Sequence, residues 1–230
     1  MALKEILQFI AENKQQQAEA FLINFSAQRR EMMVERYNSL HEFTRPGQIV
    51  LLGDSITEEF PIHEMLPELT IYNRGISGND TYDVLNRLAQ HIYPLQPRKL
   101  FLLIGVNDLA KYPNDTPLAV SQRVEQIIRN LQTHLPDCEL HLSSVLPVNQ
   151  SQDPKIDQVM LSLSDNRRII ALNHHLRPLA EKCGVVFIDL HPHFVNHENE
   201  LALAYTREGL HLTLAGYQVF LRELLPYLQR

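Results

Sequence analysis

Hydrophobic and polar positions along this chain follow two alternating patterns. Ile49 to Leu52 and Leu100 to Ile104 are continuous apolar runs, as expected for strands covered on both faces. Leu69 to Asn73, Glu139 to Val145 and Val185 to Ile188 read as three further strands. Between these runs, apolar residues recur at helical spacing: Val84, Leu85, Leu88 and Ile92, then Val120, Val124, Ile127, Ile128, Leu131 and Leu135. Ile169, Leu172, Leu176 and Leu179 form a third stripe, and Leu214, Tyr217, Leu221, Leu224 and Leu228 a fourth. Asp80 or Thr81, Thr116 with Pro117, and Thr213 are suited to start helices, whereas Pro94, Pro136 and Gly184 stop them. Pro178 is expected to kink its helix or mark a register change. Strands that alternate with helices pair in parallel through right-handed crossovers. The pattern therefore predicts an α/β fold: a flavodoxin-like three-layer α/β/α sandwich with a five-stranded parallel sheet in the order 2-1-3-4-5.

From Leu3 to about Phe43 there is neither Pro nor Gly. Leu3, Ile6, Leu7 and Ile10, and then Ala18, Phe21, Leu22 and Phe25, predict one or two amphipathic helices. Residues 1–46 thus read as an added N-terminal helical segment that either covers one side of the domain or forms a homodimer contact. Arg45, Pro46 and Gly47 mark the boundary to a single domain over residues 47–230.

The net charge of -6, with no basic run, argues against a nucleic-acid or anionic-membrane partner and for a small or neutral substrate. No apolar stretch approaches the roughly 20 residues of a membrane span, and Glu5, Glu12 and the glutamine run interrupt any secretory signal. Cys138 and Cys183 are too few for a disulfide framework, so free thiols and a cytoplasmic location are expected.

Three predicted strands end in glycine-containing turns: Gly53 to Thr57, Arg74 to Gly78, and Gly105 to Asp108. In an open parallel sheet these ends converge at the edge where ligands bind. There Ser55 could accept a hydrogen bond, cap the next helix, or attack an electrophile. Attack on an acyl group needs a nucleophile, a base, and donors aimed at the developing oxyanion. The backbone N–H groups of Ser55 and Gly78 and the side-chain amide of Asn107 are candidate donors. His211, three residues after Glu208 and just before a capped helix, is the candidate base, with the carboxylate holding its other ring nitrogen. Ile56, Asn79, Val106, Leu146 and Leu210 are placed to line a pocket, and the polar loop running to about Asp157 could wall it. Asp54 and Asp108 read as loop-holding carboxylates. Asp189, His191, His193 and His197 have the chemistry of metal ligands, but the Pro192 turn and the lack of Cys partners favour a polar loop, and no metal site is expected. His174 and His175 are adjacent on a helix and cannot face one ligand.

With GDSIT at Ser55, NRGISG at Gly78, GVND at Asn107 and EGLHLT at His211, in that order, the chain resembles the SGNH (GDSL-type) hydrolases from about Ile49 to the C-terminus. The members similar to platelet-activating-factor acetylhydrolase look nearest. The resemblance implies a serine esterase or acylhydrolase on a flavodoxin-like sandwich, cleaving a small-molecule ester with a small or medium acyl group through an acyl-serine intermediate, without metal or cofactor. It makes Ser55 the nucleophile, Ser55, Gly78 and Asn107 the oxyanion hole, and His211 the base and then the acid. Two departures stand out: GDSIT replaces GDSL, and Glu208 stands where the family usually has Asp. The extra methylene adds a rotatable bond, which leaves Asp189 or a backbone carbonyl as the alternative orienter of His211. A rival reading is a non-catalytic module that binds a carboxylate, phosphate or sugar at the same strand ends.

Overall fold

The computed structural model describes residues 27–229, and the chain divides after Leu40 into two units. Of the first unit, residues 27–40 form a helix, α1. The stripes expected at Leu3 to Ile10 and Ala18 to Phe25 lie outside the described residues.

The second unit is a five-stranded parallel sheet in the order β2-β1-β3-β4-β5. Its strands are β1 Ile49–Gly53, β2 Ile71–Gly75, β3 Lys99–Leu103, β4 Glu139–Ser143 and β5 Val186–Ile188. The long helices are α4 Thr81–His91, α6 Pro117–His134, α7 Asn166–Cys183 and α8 Leu214–Leu228. Three short helices follow strand ends or link elements: α2 Ser55–Glu58, α3 Ile62–Met65 and α5 Val106–Lys111.

Because side chains alternate across a strand, each central strand feeds two cores. Val50 and Leu52 of β1, with Leu100 and Leu102 of β3, pack with Val84 and Leu88 of α4, Val124 and Ile127 of α6, and Leu172 and Leu176 of α7. Ile49, Leu51, Phe101 and Leu103 point the other way, against Phe60, Tyr217, Phe220 and Leu224. This double covering is what continuous apolar strands require.

The caps follow local chemistry. Asp80 accepts from the Asp83 N–H in a reciprocal capping box, Thr116 accepts from the Ala119 N–H, and Thr213 from the Gly216 N–H. Gly184 closes α7 in the left-handed region at φ 66°.

Two details differ from the sequence reading, the start of the second strand and the exposure of Leu214. The second strand begins at Ile71, two residues late, because pairing of Ile49 with Ile71 sets its register while Leu69 is taken by a turn onto Leu66. The helix continues through Pro178, its stripe of Ile169, Leu172, Leu176 and Leu179 buried along its length. Leu214 is exposed, because it is the first residue of α8 and the core begins at Tyr217.

Candidate active site

β1 delivers Gly53, and Asp54 then turns the chain into α2, where its carboxylate accepts the Ile56 N–H at 3.0 Å. Ser55 is the first residue of that helix. α2 lies directly over β2: a Cβ on Gly75 would sit 2.1 Å from the Glu58 nitrogen, so only glycine permits the approach. On its other side, buried Tyr217 donates from its hydroxyl to the Ile56 carbonyl at 2.9 Å.

His211 comes from a tight turn between residues 206 and 212, where Thr206 and Leu212 bridge antiparallel. Thr206 accepts the Gly209 N–H at 2.7 Å and donates to the His211 carbonyl at 3.0 Å. The loop after β4 supports this turn: the Asn149 N–H donates to the Gly209 carbonyl and the Asp157 N–H to the Glu208 carbonyl. The wall expected of that loop thus stands behind the acid–histidine turn.

Three side chains meet across this gap. His211 Nε2 lies 2.9 Å from Ser55 Oγ, and His211 Nδ1 lies 2.5 Å from Glu208 Oε1, which also accepts the His211 backbone N–H at 2.8 Å. A carboxylate oxygen only accepts, so Nδ1 carries the proton and the Nε2 lone pair faces the serine hydroxyl. The backbone bond within the turn holds Oε1 independently of the ring and so restrains the extra glutamate methylene. Arg207 lies 3.6 Å from the other oxygen, Oε2, and pairs with Glu59 at 2.5 Å. Asp189, the alternative orienter, pairs instead with Arg177.

The turns that follow β2 and β3 are bonded to each other. Gly78 adopts φ 76°, a conformation that favours glycine. Asn107 sits in the first turn of α5 and donates one of its two amide hydrogens to the Asn79 carbonyl at 2.8 Å, leaving the second available. Asp108 accepts the Thr81 N–H at 3.0 Å and pairs with Arg123 at 3.0 Å, tying α5 to the start of α4. Arg168 of α7 donates to the carbonyls of Leu109, Tyr112 and Asp115. Both Asp54 and Asp108 therefore accept backbone N–H bonds, as the sequence suggested.

Ile56, Val106, Leu146 and Leu210 line a cleft of about 10 Å³ beside Ser55, with Asp54, Leu103, Ile104 and Val145. Asn79 is placed differently from the sequence expectation. It is buried, and its side-chain oxygen accepts from Arg87 Nε at 2.7 Å, so it braces the turn and does not line the cleft. The polar stretch 189–197 diverges: Asp189 turns to Arg177, His193 to Glu223 and His197 to Glu198. Cys138 and Cys183 are free, and burial pushes the Cys138 thiol up to about 12.

Lys111, Glu58, Arg87 and Arg168 escaped the sequence reading. Their signal was weak: Lys111 is four residues after Asn107, a spacing that means something only once 106–111 is known to be helical.

Burial in the β1–α2 turn, reinforced by Asp108, pushes the Asp54 carboxyl up from 3.8 to about 7. The folded protein therefore binds this proton more tightly than the unfolded chain does, and the stability Asp54 contributes at low pH is lost as pH rises from about 4 to 7. The interval corresponds to at most about 4 kcal/mol. Asp54→Asn keeps an acceptor for the Ile56 N–H without the charge. Its unfolding free energy is expected to decline less than that of the wild type across this range. Parallel curves by denaturant titration would show that Asp54 does not titrate there.

A model of the GDSL-like lipase/acylhydrolase family matches residues 51–219. The solved structure of a Streptococcus pneumoniae protein, provisionally described as a platelet activating factor, is 32% identical, with a TM-score of 0.84 over 92% of this chain and 98% of that one. The chain belongs to the GDSL-like lipase/acylhydrolase family, the SGNH hydrolases of the sequence motifs. Within that family it is a carboxylic ester hydrolase.

Two more distant structures share the fold. A GDSL-like lipase from Bacteroides thetaiotaomicron is 20% identical, with a TM-score of 0.75 over 85% of this chain and 97% of that one. An acetyl xylan esterase is 22% identical, with a TM-score of 0.64 over 78% and 98%. Comparison with curated proteins finds no match. Among the described residues, no helix is long and apolar enough to cross a membrane.

Proposed function

We propose that this chain is a serine esterase that cleaves small acyl esters through an acyl-serine intermediate. The observation that carries the reading is the unbroken chain from Glu208 Oε1 to His211 Nδ1 at 2.5 Å and from His211 Nε2 to Ser55 Oγ at 2.9 Å. In this reading His211 takes the hydroxyl proton as Ser55 Oγ bonds to the ester carbonyl carbon. The tetrahedral oxyanion meets the N–H groups of Ser55 and Gly78 and the second amide hydrogen of Asn107. Its collapse breaks the bond to the alcohol, which leaves with the proton from His211. Water then repeats the sequence on the acyl-enzyme, releasing the acid and restoring Ser55. Glu208 holds the ring and stabilises the imidazolium. A module that merely bound an anion would gain nothing from a base aimed at a hydroxyl, and this favours the catalytic reading over the binding one.

The cleft supports a short acyl group. About 10 Å³ is the room of a single water, and its lining by Ile56, Val106, Leu146 and Leu210 is apolar. The acetyl esterase among the structural neighbours is consistent with that size. Across p-nitrophenyl esters from acetate to long chains, kcat/KM is expected to be highest for acetate. Leu146→Ala, by opening the cleft, is expected to raise the butyrate-to-acetate ratio of kcat/KM about 10-fold or more. A profile that peaks at long chains in the wild type would overturn the size assignment. Mass spectrometry of enzyme quenched during turnover would detect the acyl group on Ser55, and its absence throughout the approach to steady state would count against the intermediate.

A further inference from the structure

The turn at Gly78 and Asn79 is held by side chains from both of its neighbours. From α5, Asn107 Nδ2 donates to the Asn79 carbonyl at 2.8 Å and Lys111 Nζ donates to the Gly78 carbonyl at 2.6 Å. Four residues apart on one helix, the two side chains share a face and grip consecutive carbonyls. Lys111 also reaches Asp80 Oδ2 at 2.9 Å and Asp83 Oδ2 at 3.5 Å, at the start of α4. From the other flank Glu58, the last residue of α2, accepts from Ser77 N at 2.5 Å and from Ser77 Oγ at 2.7 Å. The turn thus hangs between the helix that bears Ser55 and the helix that bears Asn107.

Gly78 lacks a Cβ and lies at φ 76°, so its peptide planes have little intrinsic bias toward one direction. A donor for an oxyanion must nevertheless be aimed before the charge develops, because reorienting it during reaction forfeits the benefit. We propose that Lys111 is a positioning residue for ester hydrolysis: with Glu58 holding the Ser77 N–H on one side, its grip on the Gly78 carbonyl anchors the other side of the Ser77–Gly78 peptide, and the Gly78 N–H between them is restrained toward the oxyanion. Asp80 holds the ammonium in place. Burial alone would push the Asp80 carboxyl up, but Lys111 and the Asp83 N–H outweigh it and hold the carboxyl below its ordinary value. Lys111 is 36% exposed and the Asp80 carboxylate 3%, so the ion pair keeps a buried charge partnered while the bond to the Gly78 carbonyl aims the turn.

This inference rests on Ser55 as the nucleophile, and the experiment separates the two. Lys111→Met retains the aliphatic stem and removes the donor. On p-nitrophenyl acetate its kcat is expected to fall about 10-fold, with KM changed less than about twofold. The affinity for phenylboronic acid, which forms a tetrahedral adduct on an active serine, is expected to weaken by the same factor. Lys111→Arg should recover most of both losses and, by keeping the Asp80 carboxylate paired, the wild-type thermal midpoint. Wild-type kcat and boronate affinity in Lys111→Met would overturn the proposal. So would a kcat loss accompanied by a lowered midpoint and no recovery in Lys111→Arg. If Ser55→Ala, run alongside, keeps wild-type turnover, the nucleophile reading itself fails; if it is inactive while Lys111→Met is normal, only the role of Lys111 falls.

Discussion

Ser55→Ala is expected to lower kcat by about 10⁶, by analogy with the loss of a triad serine in a protease. The size of the effect follows from how little else the site offers. His211 is aimed by Glu208 at one hydroxyl, 2.9 Å away, and removing that oxygen leaves a base with no attached nucleophile. The fold should tolerate the change. Ser55 is 6% exposed, α2 is capped by Asp54 rather than by the serine, and the helix is held by Tyr217 and by close packing over Gly75. Turnover of p-nitrophenyl acetate by the variant, measured with the wild type in parallel, decides the matter. Residual kcat within tenfold of wild type would remove Ser55 from the reaction, and unchanged circular dichroism would show that a loss is chemical.

Asn107→Ala is expected to cost about 10²–10³ in kcat, the range seen when one oxyanion donor is deleted. Two effects act together. The variant loses the second amide hydrogen proposed as an oxyanion donor and also the bond that holds the Asn79 carbonyl at 2.8 Å. The helix should stay in place, because Asp108 ties it to Thr81 and Arg123 while Arg168 binds the carbonyls at its end. The loss should therefore appear in kcat and in boronate affinity, with KM for a small ester little altered. An unchanged rate would take Asn107 out of the hole. A lowered thermal midpoint of similar severity would mean that α5 had moved.

The expected site and the observed geometry agree where short-range chemistry governs. Ser55 follows a strand end, Glu208 and His211 lie within one turn, and each was legible from a few neighbouring residues. Asn79 was misplaced for the opposite reason. Its position beside Gly78 suggested exposure to substrate, but Arg87, eight residues on, captures its side chain in the interior. α5 was missed because six residues with a glycine before them carry no periodicity long enough to detect.

What the sequence by itself determined was the five strands, the four long helices and the order of the sheet. Apolar runs and helical stripes report which faces must leave water, and parallel pairing with right-handed crossovers leaves few arrangements for them. The same local logic carried the caps and the turn that joins Glu208 to His211. Only the tertiary structure decided that His211 meets Ser55 across 156 residues of chain, that the cleft at Ile56, Val106, Leu146 and Leu210 is water-sized, and that Lys111 grips Gly78. These are contacts between side chains remote in sequence, set by the packing of helices over the sheet to fractions of an ångström, and no local pattern encodes a distance of that kind.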